Sequence, residues 1–327
     1  MLKTKEAIKT WLDEMGIENY TINKNLTVDV NGSVTLSNKN LKKIPVQFGK
    51  VGESFYCHSN QLTSLNGAPQ KVGESFYCDN NQLTSLNGAP QKVGGTFSCH
   101  YNQLTSLEGA PQKVGGTFYC DNNQLTSLNG APQKVGGTFS CHSNQLTSLE
   151  GAPQEVGGTF YCGSNQLTSL NGAPQKVGES FYCDNNKLTS IPQSFSKIKN
   201  LYVFPNLNWN NVEWINKILG DTLTAEEVFA IDNIEHRRVA FERMDKIKMK
   251  ALKDFKVVDE QIDSKGNQMR VLSFTIQNMK TPLKFYNCIC PSSKREYFIG
   301  TDKDTCLEAK ASCWGFGPGE IKYINEW

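Results

Sequence analysis

The 327-residue sequence predicts a solenoid of short stacked units, each a strand with an extended return leg, led by a helical cap and followed by a small α+β domain. Three observations predict this. A unit reading VGGTFYCDNNQLTSLNGAPQK recurs seven times at a 21-residue interval between residues 51 and 191. No stretch of that unit has the length or period of a helix, so neighbouring copies must stack to bury anything. From about residue 209 the repeat is gone and the composition turns to charged, helix-patterned sequence. The expected divisions are therefore 1–50 (helix and capping repeat), 51–208 (solenoid) and 209–327 (α+β domain).

The cap comes first. Ile8, Trp11, Leu12 and Met15 fall at helical spacing, with Gly16 as the stop signal, and this helix should cover the first edge of the stack. A degenerate unit, VTLSNKNLKKIP, follows. In it Val34 and Leu36 stand for Phe and Cys, Leu41 and Ile44 for the leucines, and Lys39 falls where an Asn recurs later. Terminal repeats are expected to be atypical in this way.

Within the repeats, Phe recurs at 55, 76, 97, 118, 139, 160 and 181, each followed two residues later by Cys. Side chains on a strand alternate, so Phe-x-Cys sets both residues on one buried face. An Asn three residues after each Cys, such as Asn123, sits where the chain leaves the strand and bonds backbone groups that no ladder reaches; stacked copies form an asparagine ladder. Leu-x-x-Leu carries the core around the bend. Gly then supplies a sharp turn, and Pro is expected to prevent a helix or a paired strand on the return leg. The segment IPQSFSKIKNLYVFPN reads as a last, altered turn carrying Leu201 and Val203.

The run Phe-x-Cys-x-x-Asn-x-Leu-x-x-Leu resembles the leucine-rich-repeat signature, with Phe and Cys in two of the usual leucine positions. The form Asn-Gln-Leu-Thr-Ser-Leu-x-Gly-Ala-Pro is similar to repeats of tailed-bacteriophage and bacterial proteins, and covers about half the chain. The resemblance implies a curved scaffold with a parallel sheet on its concave side and an extended, non-helical convex side, used to bind proteins. Secreted bacterial effectors share part of this core and often append a ubiquitin-ligase domain with a cysteine nucleophile. Here only about 120 residues follow the solenoid, and no cysteine has the His or Asp neighbours that activate a thiolate.

Beyond the solenoid, Thr224-Ala-Glu-Glu227 fits a capping box, and Met244, Ile247, Ala251 and Phe255 form an apolar helical stripe. Strands are expected on both sides of Asp263-Ser-Lys-Gly266, a second pair in LKFYNCIC and REYFIG, and a helix near Asp304–Trp314. The segments NIEHRRVAFERM and REYFIGTDKDTCLEAKASCWGF resemble the end of a bacterial domain without a settled activity, so the resemblance implies a fold and no catalytic residue.

Composition narrows the function classes. Lys+Arg at 34 against Asp+Glu at 32 leaves a net charge of +2, so the whole chain exerts no field toward DNA or an acidic membrane. No apolar run approaches the roughly 20 residues that span a bilayer, and MLKTKEAIKTWLDEMG has no apolar signal core; a cytoplasmic chain is expected. Of eleven cysteines, seven recur at the repeat interval and read as reduced, packed thiols. Cys288, Cys290, Cys306 and Cys313 lack zinc-knuckle spacing. The basic stretch Arg237, Arg238, Arg243, Lys246, Lys248, Lys250, Lys253 and Lys256 comes without aromatic stacking residues or a reader motif, so a solvated helix face is preferred to a nucleic-acid site. No phosphate loop, nucleophile elbow or His-Glu metal motif occurs, so no catalytic residue, metal or cofactor is expected.

What varies between copies points to the function. The residue between Phe and Cys projects from the opposite side of the strand and reads Tyr56, Tyr77, Ser98, Tyr119, Ser140, Tyr161 and Tyr182. Two residues on, the same surface carries His58, Asp79, His100, Asp121, His142, Gly163 and Asp184. Aromatic and charged side chains on an open sheet have the composition of a protein-binding face. The competing reading is a ladder of Tyr–Tyr and His–Asp pairs that stabilises the sheet alone. The favoured function is a non-catalytic scaffold binding a protein partner, a host factor if the chain is phage-encoded, through this surface as the concave face of the solenoid. The alternatives are a structural or attachment protein of a virion, and an enzyme or nucleic-acid binder built on the C-terminal domain.

Overall fold

A computed structural model describes residues 1–204, 207–220, 222–223, 227–228, 231, 233, 236, 239–240, 255–262, 268–274, 283–289 and 296–301. The chain divides into two compact units, Met1–Asn216 and Lys217–Trp327.

The first unit is a β-solenoid whose turns stack in parallel. Its cap is the helix α1 (Lys5–Met15). The Thr4 hydroxyl accepts from Ala7 N at 3.2 Å at one end, and Gly16 at φ 70° closes the other. Ile8 and Leu12 are buried, and Trp11 lies 6.5 Å from Phe48, the first ring of a stack that runs the length of the core. The helix therefore covers the first edge, as its apolar stripe predicts.

The Phe-x-Cys strands form one ten-stranded sheet, here called the Phe sheet, from Val34–Thr35 through Phe118–Tyr119 and Phe139–Ser140 to Asn200–Phe204 and Leu207–Asn208. Equivalent positions of the repeat pair in register, Phe118 with Phe139 and Tyr119 with Ser140. Phe55, Phe76, Phe97, Phe118, Phe139, Phe160 and Phe181 are fully buried, their successive centroids 5.1–5.6 Å apart. Each such ring contributes roughly 1.5–3 kcal/mol on burial. The degenerate turn joins this sheet through Val34, paired with Phe55.

The return leg departs from expectation. Instead of unpaired extended chain, it carries a second short strand in each turn, Lys71–Val72, Lys92–Val93 and their equivalents, in a nine-stranded sheet, here the Val sheet. Pro does not prevent this pairing, because Pro69 lies two residues ahead of the strand and Gln70 N already donates to Gly49 O at 2.9 Å. The Val side chains close the core opposite the phenyl stack, Val114 and Val135 being buried. The glycine after each Val is a packing requirement: a Cβ on Gly115 would lie 2.2 Å from Gly94 O of the turn before. The Val sheet begins with a hairpin that the sequence reading did not foresee, Tyr20–Ile22 antiparallel to Thr27–Val30.

At the far end, Leu201 and Val203 enter the core from Asn200–Phe204, as predicted, and Phe195 packs edge-on against Phe181 at 4.9 Å. Asn216, on the helix α2 (Val212–Leu219), donates to Ile191 O at 3.0 Å and accepts from Ile191 N at 2.7 Å. Val212 and Ile215 of that helix are buried.

In the second unit, Phe255–Ile262, Gln268–Phe274, Leu283–Ile289 and Glu296–Thr301 form an antiparallel sheet in that order. Both expected strand pairs are present. Phe255 opens the first strand and is not part of the helical stripe expected to include it, because it pairs with Phe274 across that hairpin. Met244, Ile247, Ala251, the Asp263–Gly266 turn, the helix near Asp304–Trp314 and Cys290, Cys306 and Cys313 lie outside the described residues, as do all members of the basic stretch but Lys256. No helix among the described residues is long and apolar enough to cross a membrane.

Candidate protein-binding face

The face is held rigid from beneath by the asparagine ladder. Asn123 Nδ2 donates to Cys99 O, Cys120 O and Asp121 O at 3.1–3.2 Å, while its Oδ1 accepts from Leu104 N at 3.0 Å. The same four-partner pattern recurs at Asn81, Asn102, Asn144 and Asn165. Where Lys39 replaces the ladder Asn, Asn60 of the next turn accepts from both Lys39 N and Leu41 N.

The repeat cysteines belong to this support. Cys57, Cys78, Cys99, Cys120, Cys141, Cys162 and Cys183 are free and buried. Burial holds every one of these thiols well above the ordinary range. Several donate to carbonyls one turn on, Cys120 Sγ to Ser140 O at 3.1 Å. They are packing groups, not nucleophiles.

On the outward side, the tyrosines form stacks. Tyr56 and Tyr77 lie parallel with centroids 5.2 Å apart, and Tyr161 and Tyr182 lie 4.6 Å apart. The row continues to Tyr202, 4.1 Å from Tyr182. That member escaped the sequence reading because the last turn is shorter by one residue, which breaks the 21-residue count. Burial and the Tyr202 hydroxyl push the Tyr182 phenol up to about 12.

The second row alternates His with Asp. His100 Nε2 lies 3.8 Å from Asp79 Oδ2, and His142 Nε2 lies 3.5 Å from Asp121 Oδ2. Asp79 and Asp121 are only 8% and 7% exposed, so they form the floor of the face and not projecting contacts. Gly163 is buried as well. Asp184 is raised above the usual carboxylate range by burial, against the opposing pull of its own backbone and His142.

Ser98 and Ser140 interrupt the tyrosine row, and the two gaps differ. At the first, His100 turns back over the serine, its Nδ1 2.7 Å from Ser98 Oγ. At the second, His142 Nδ1 lies 3.0 Å from Ser143 Oγ instead, as His58 does with Ser59 at 3.1 Å. The cause is local. His100 is followed by Tyr101, which has no hydroxyl within that reach, so the ring turns to Ser98. A hollow of about 380 Å³ stands over Ser140, lined by His100, Tyr101, Tyr119, Asp121, His142 and Tyr161.

Tyr101 is itself unusual. It occupies a left-handed position, φ 49°, which Ser59, Asn80, Asn122, Ser143, Ser164 and Asn185 hold in the other turns. Asn is enriched in this backbone region and a bulky side chain there is an outlier. Tyr101 is 54% exposed and Tyr119 37%, so two aromatic rings stand open at the rim of one hollow.

The structure thus brings the eleven Tyr, His and Asp residues of the two outward rows onto one sheet face and makes partners of many of them. Both the pairs of the stabilising-ladder reading and an open aromatic hollow are present. Among the described residues, no group of three or more His, Cys, Asp or Glu side chains is placed to hold a metal. A scan against models of protein families, a search of curated proteins and a search of solved structures each find no match to this chain.

Proposed function

We propose that the chain is a non-catalytic scaffold that binds a protein partner through the outward face of the Phe sheet. One observation carries the reading. Seven turns share an almost invariant core, yet their outward positions vary, and around the hollow at Ser140 the rings of Tyr101 and Tyr119 stand exposed. A ladder that served the sheet alone would gain from a tyrosine at Ser98 and Ser140 and from Asn or Ser at 101. Tyrosine suits binding, since it presents a large amphipathic surface at low entropic cost.

Size and charge agree. Ten strands at about 4.8 Å give a face roughly 45 Å long, sufficient for a protein interface of ordinary area. The outward positions of the seven turns carry Asp79, Asp121 and Asp184 and neither Lys nor Arg, which disfavours nucleic acid as the ligand of this face. The resemblance of the repeats to bacteriophage proteins extends the reading to a host protein, in the bacterial cytoplasm, as the partner.

The test is capture of a partner by the full chain from a bacterial lysate, followed by hydroxyl-radical footprinting of the complex. Protection of Tyr101 and Tyr119 is expected. Protection confined to Lys92 and Lys113 of the Val sheet would reject this face.

A further inference from the structure

We infer that the hollow over Ser140 is a slot for a planar cation, the guanidinium group of an arginine on the bound protein. This rests on the protein-binding reading and names the group that the face recognises.

The geometry sets the shape of the occupant. Ser140 pairs with Tyr119 on one side and Tyr161 on the other, so those tyrosines stand two strand steps apart, about 9.6 Å. A planar group midway lies about 4.8 Å from each ring. That is the spacing that this row already adopts, with 5.2 Å between Tyr56 and Tyr77 and 4.6 Å between Tyr161 and Tyr182. Burial and the phenol of Tyr119 across the gap both raise the Tyr161 hydroxyl, which keeps it a neutral hydrogen-bonding group beside the slot. A flat group fits between the two tyrosines, within the hollow of about 380 Å³.

Charge selects among flat groups. Asp121 lies at the base, already fixed by Asn122 Nδ2 at 2.9 Å and His142 Nε2 at 3.5 Å. Beside Tyr161, the Glu179 carboxylate accepts from Thr159 Oγ1 at 3.1 Å and adds its charge to the field at the Tyr161 phenol. A neutral aromatic ring would fill the gap and leave this field unanswered. Guanidinium is planar, always charged, stacks on aromatic faces and presents a fork of donors to a carboxylate. An ammonium has the charge without the plane.

The distinction between the two serine gaps supports a built feature. Both serines are buried, 1% and 2% exposed, but His100 bonds Ser98 whereas His142 bonds Ser143. The solenoid thus has two positions without a ring, and at the second a hollow lies between Tyr119 and Tyr161.

The chain has four histidines, so ring-proton resonances report on the slot directly. The full protein is titrated with acetyl-Gly-Arg-Gly-amide, and in parallel with the Lys and Phe versions, with His142 assigned by its loss in His142→Gln. The Arg peptide is expected to shift the His142 resonances saturably and leave those of His58 in place, with the Lys and Phe peptides binding about tenfold more weakly for want of one stacked, forked contact. Ser140→Tyr places in the gap the residue that other turns carry there, so the fold persists and the Arg-induced shift is expected to vanish. No saturable shift, equal binding of the Phe peptide, or an unchanged titration in Ser140→Tyr overturns the slot. If Ser140→Tyr still captures the protein partner, only the slot assignment fails; failure of the unaltered chain to capture any protein rejects the broader reading.

Discussion

The side-chain carbonyl of Asn123 accepts the backbone N–H of Leu104 at 3.0 Å, across the step from one turn to the one before. Leu104 is fully buried, so no water replaces that acceptor. Asn123→Leu keeps the size of the side chain and removes its bonds. Each orphaned buried group costs about 1–3 kcal/mol, beginning with Leu104 N–H. Urea denaturation is expected to show a lowered midpoint of that order, and an unchanged midpoint contradicts the ladder.

Much of this architecture is legible in the repeat. Phe-x-Cys places the Phe sheet, and the recurrent Asn places the ladder. The Val sheet is not, because a strand of two residues such as Lys71–Val72 shows no alternation and follows a proline that argues against pairing. Its signal was the recurrence of Val72, Val93 and Val114 ahead of an invariant glycine. The outward rows were also legible, since alternation alone assigns them. Their internal pairing was not: Ser98 and Ser140 are the same residue in the same repeat position, and only the neighbour of the following histidine, Tyr101 against Ser143, decides which serine that histidine bonds.

Tyr101 tests the idea that stability has been yielded at the hollow. Replacing it with Asn, which Asn80 and Asn122 show to be at home in this backbone conformation, removes a bulky side chain from the left-handed region. A gain of up to about 1 kcal/mol is expected. A loss of stability on thermal melting would show that Tyr101 is a packing residue.

Asp184 makes stability depend on pH. Its folded pKa is raised, so the folded state favours the protonated form; the contribution is fully present below the unfolded value, about 3.9, and is lost as pH rises through the folded pKa. Asp184→Asn is therefore expected to melt higher than the unaltered chain at pH 7, with the difference closing near pH 3. A variant that melts lower at pH 7 would show that the carboxylate is favoured in the fold.

The repeat thiols are expected to resist chemistry. Brief iodoacetamide treatment of the native protein, with modified peptides mapped by mass spectrometry, should leave Cys57, Cys78, Cys99, Cys120, Cys141, Cys162 and Cys183 unlabelled, and all should label in denaturant. Rapid native labelling of any one would place it on the surface.

Protein binding by the outward face of the Phe sheet is tested by the simultaneous change of Tyr119, Asp121, His142 and Tyr161 to Ala. These side chains stand on or beside the face and not in the phenyl stack, so the solenoid should still fold. The lost cross-strand pairs, Tyr161 with Tyr182 and Asp121 with His142, cost about 0.2–1 kcal/mol each. Melting temperature and partner capture are measured on the same preparation. A folded protein with a modestly lowered melting temperature and no capture is expected. A folded variant that melts lower and still holds its partner would contradict binding by this face, leaving the rows as a stabilising ladder.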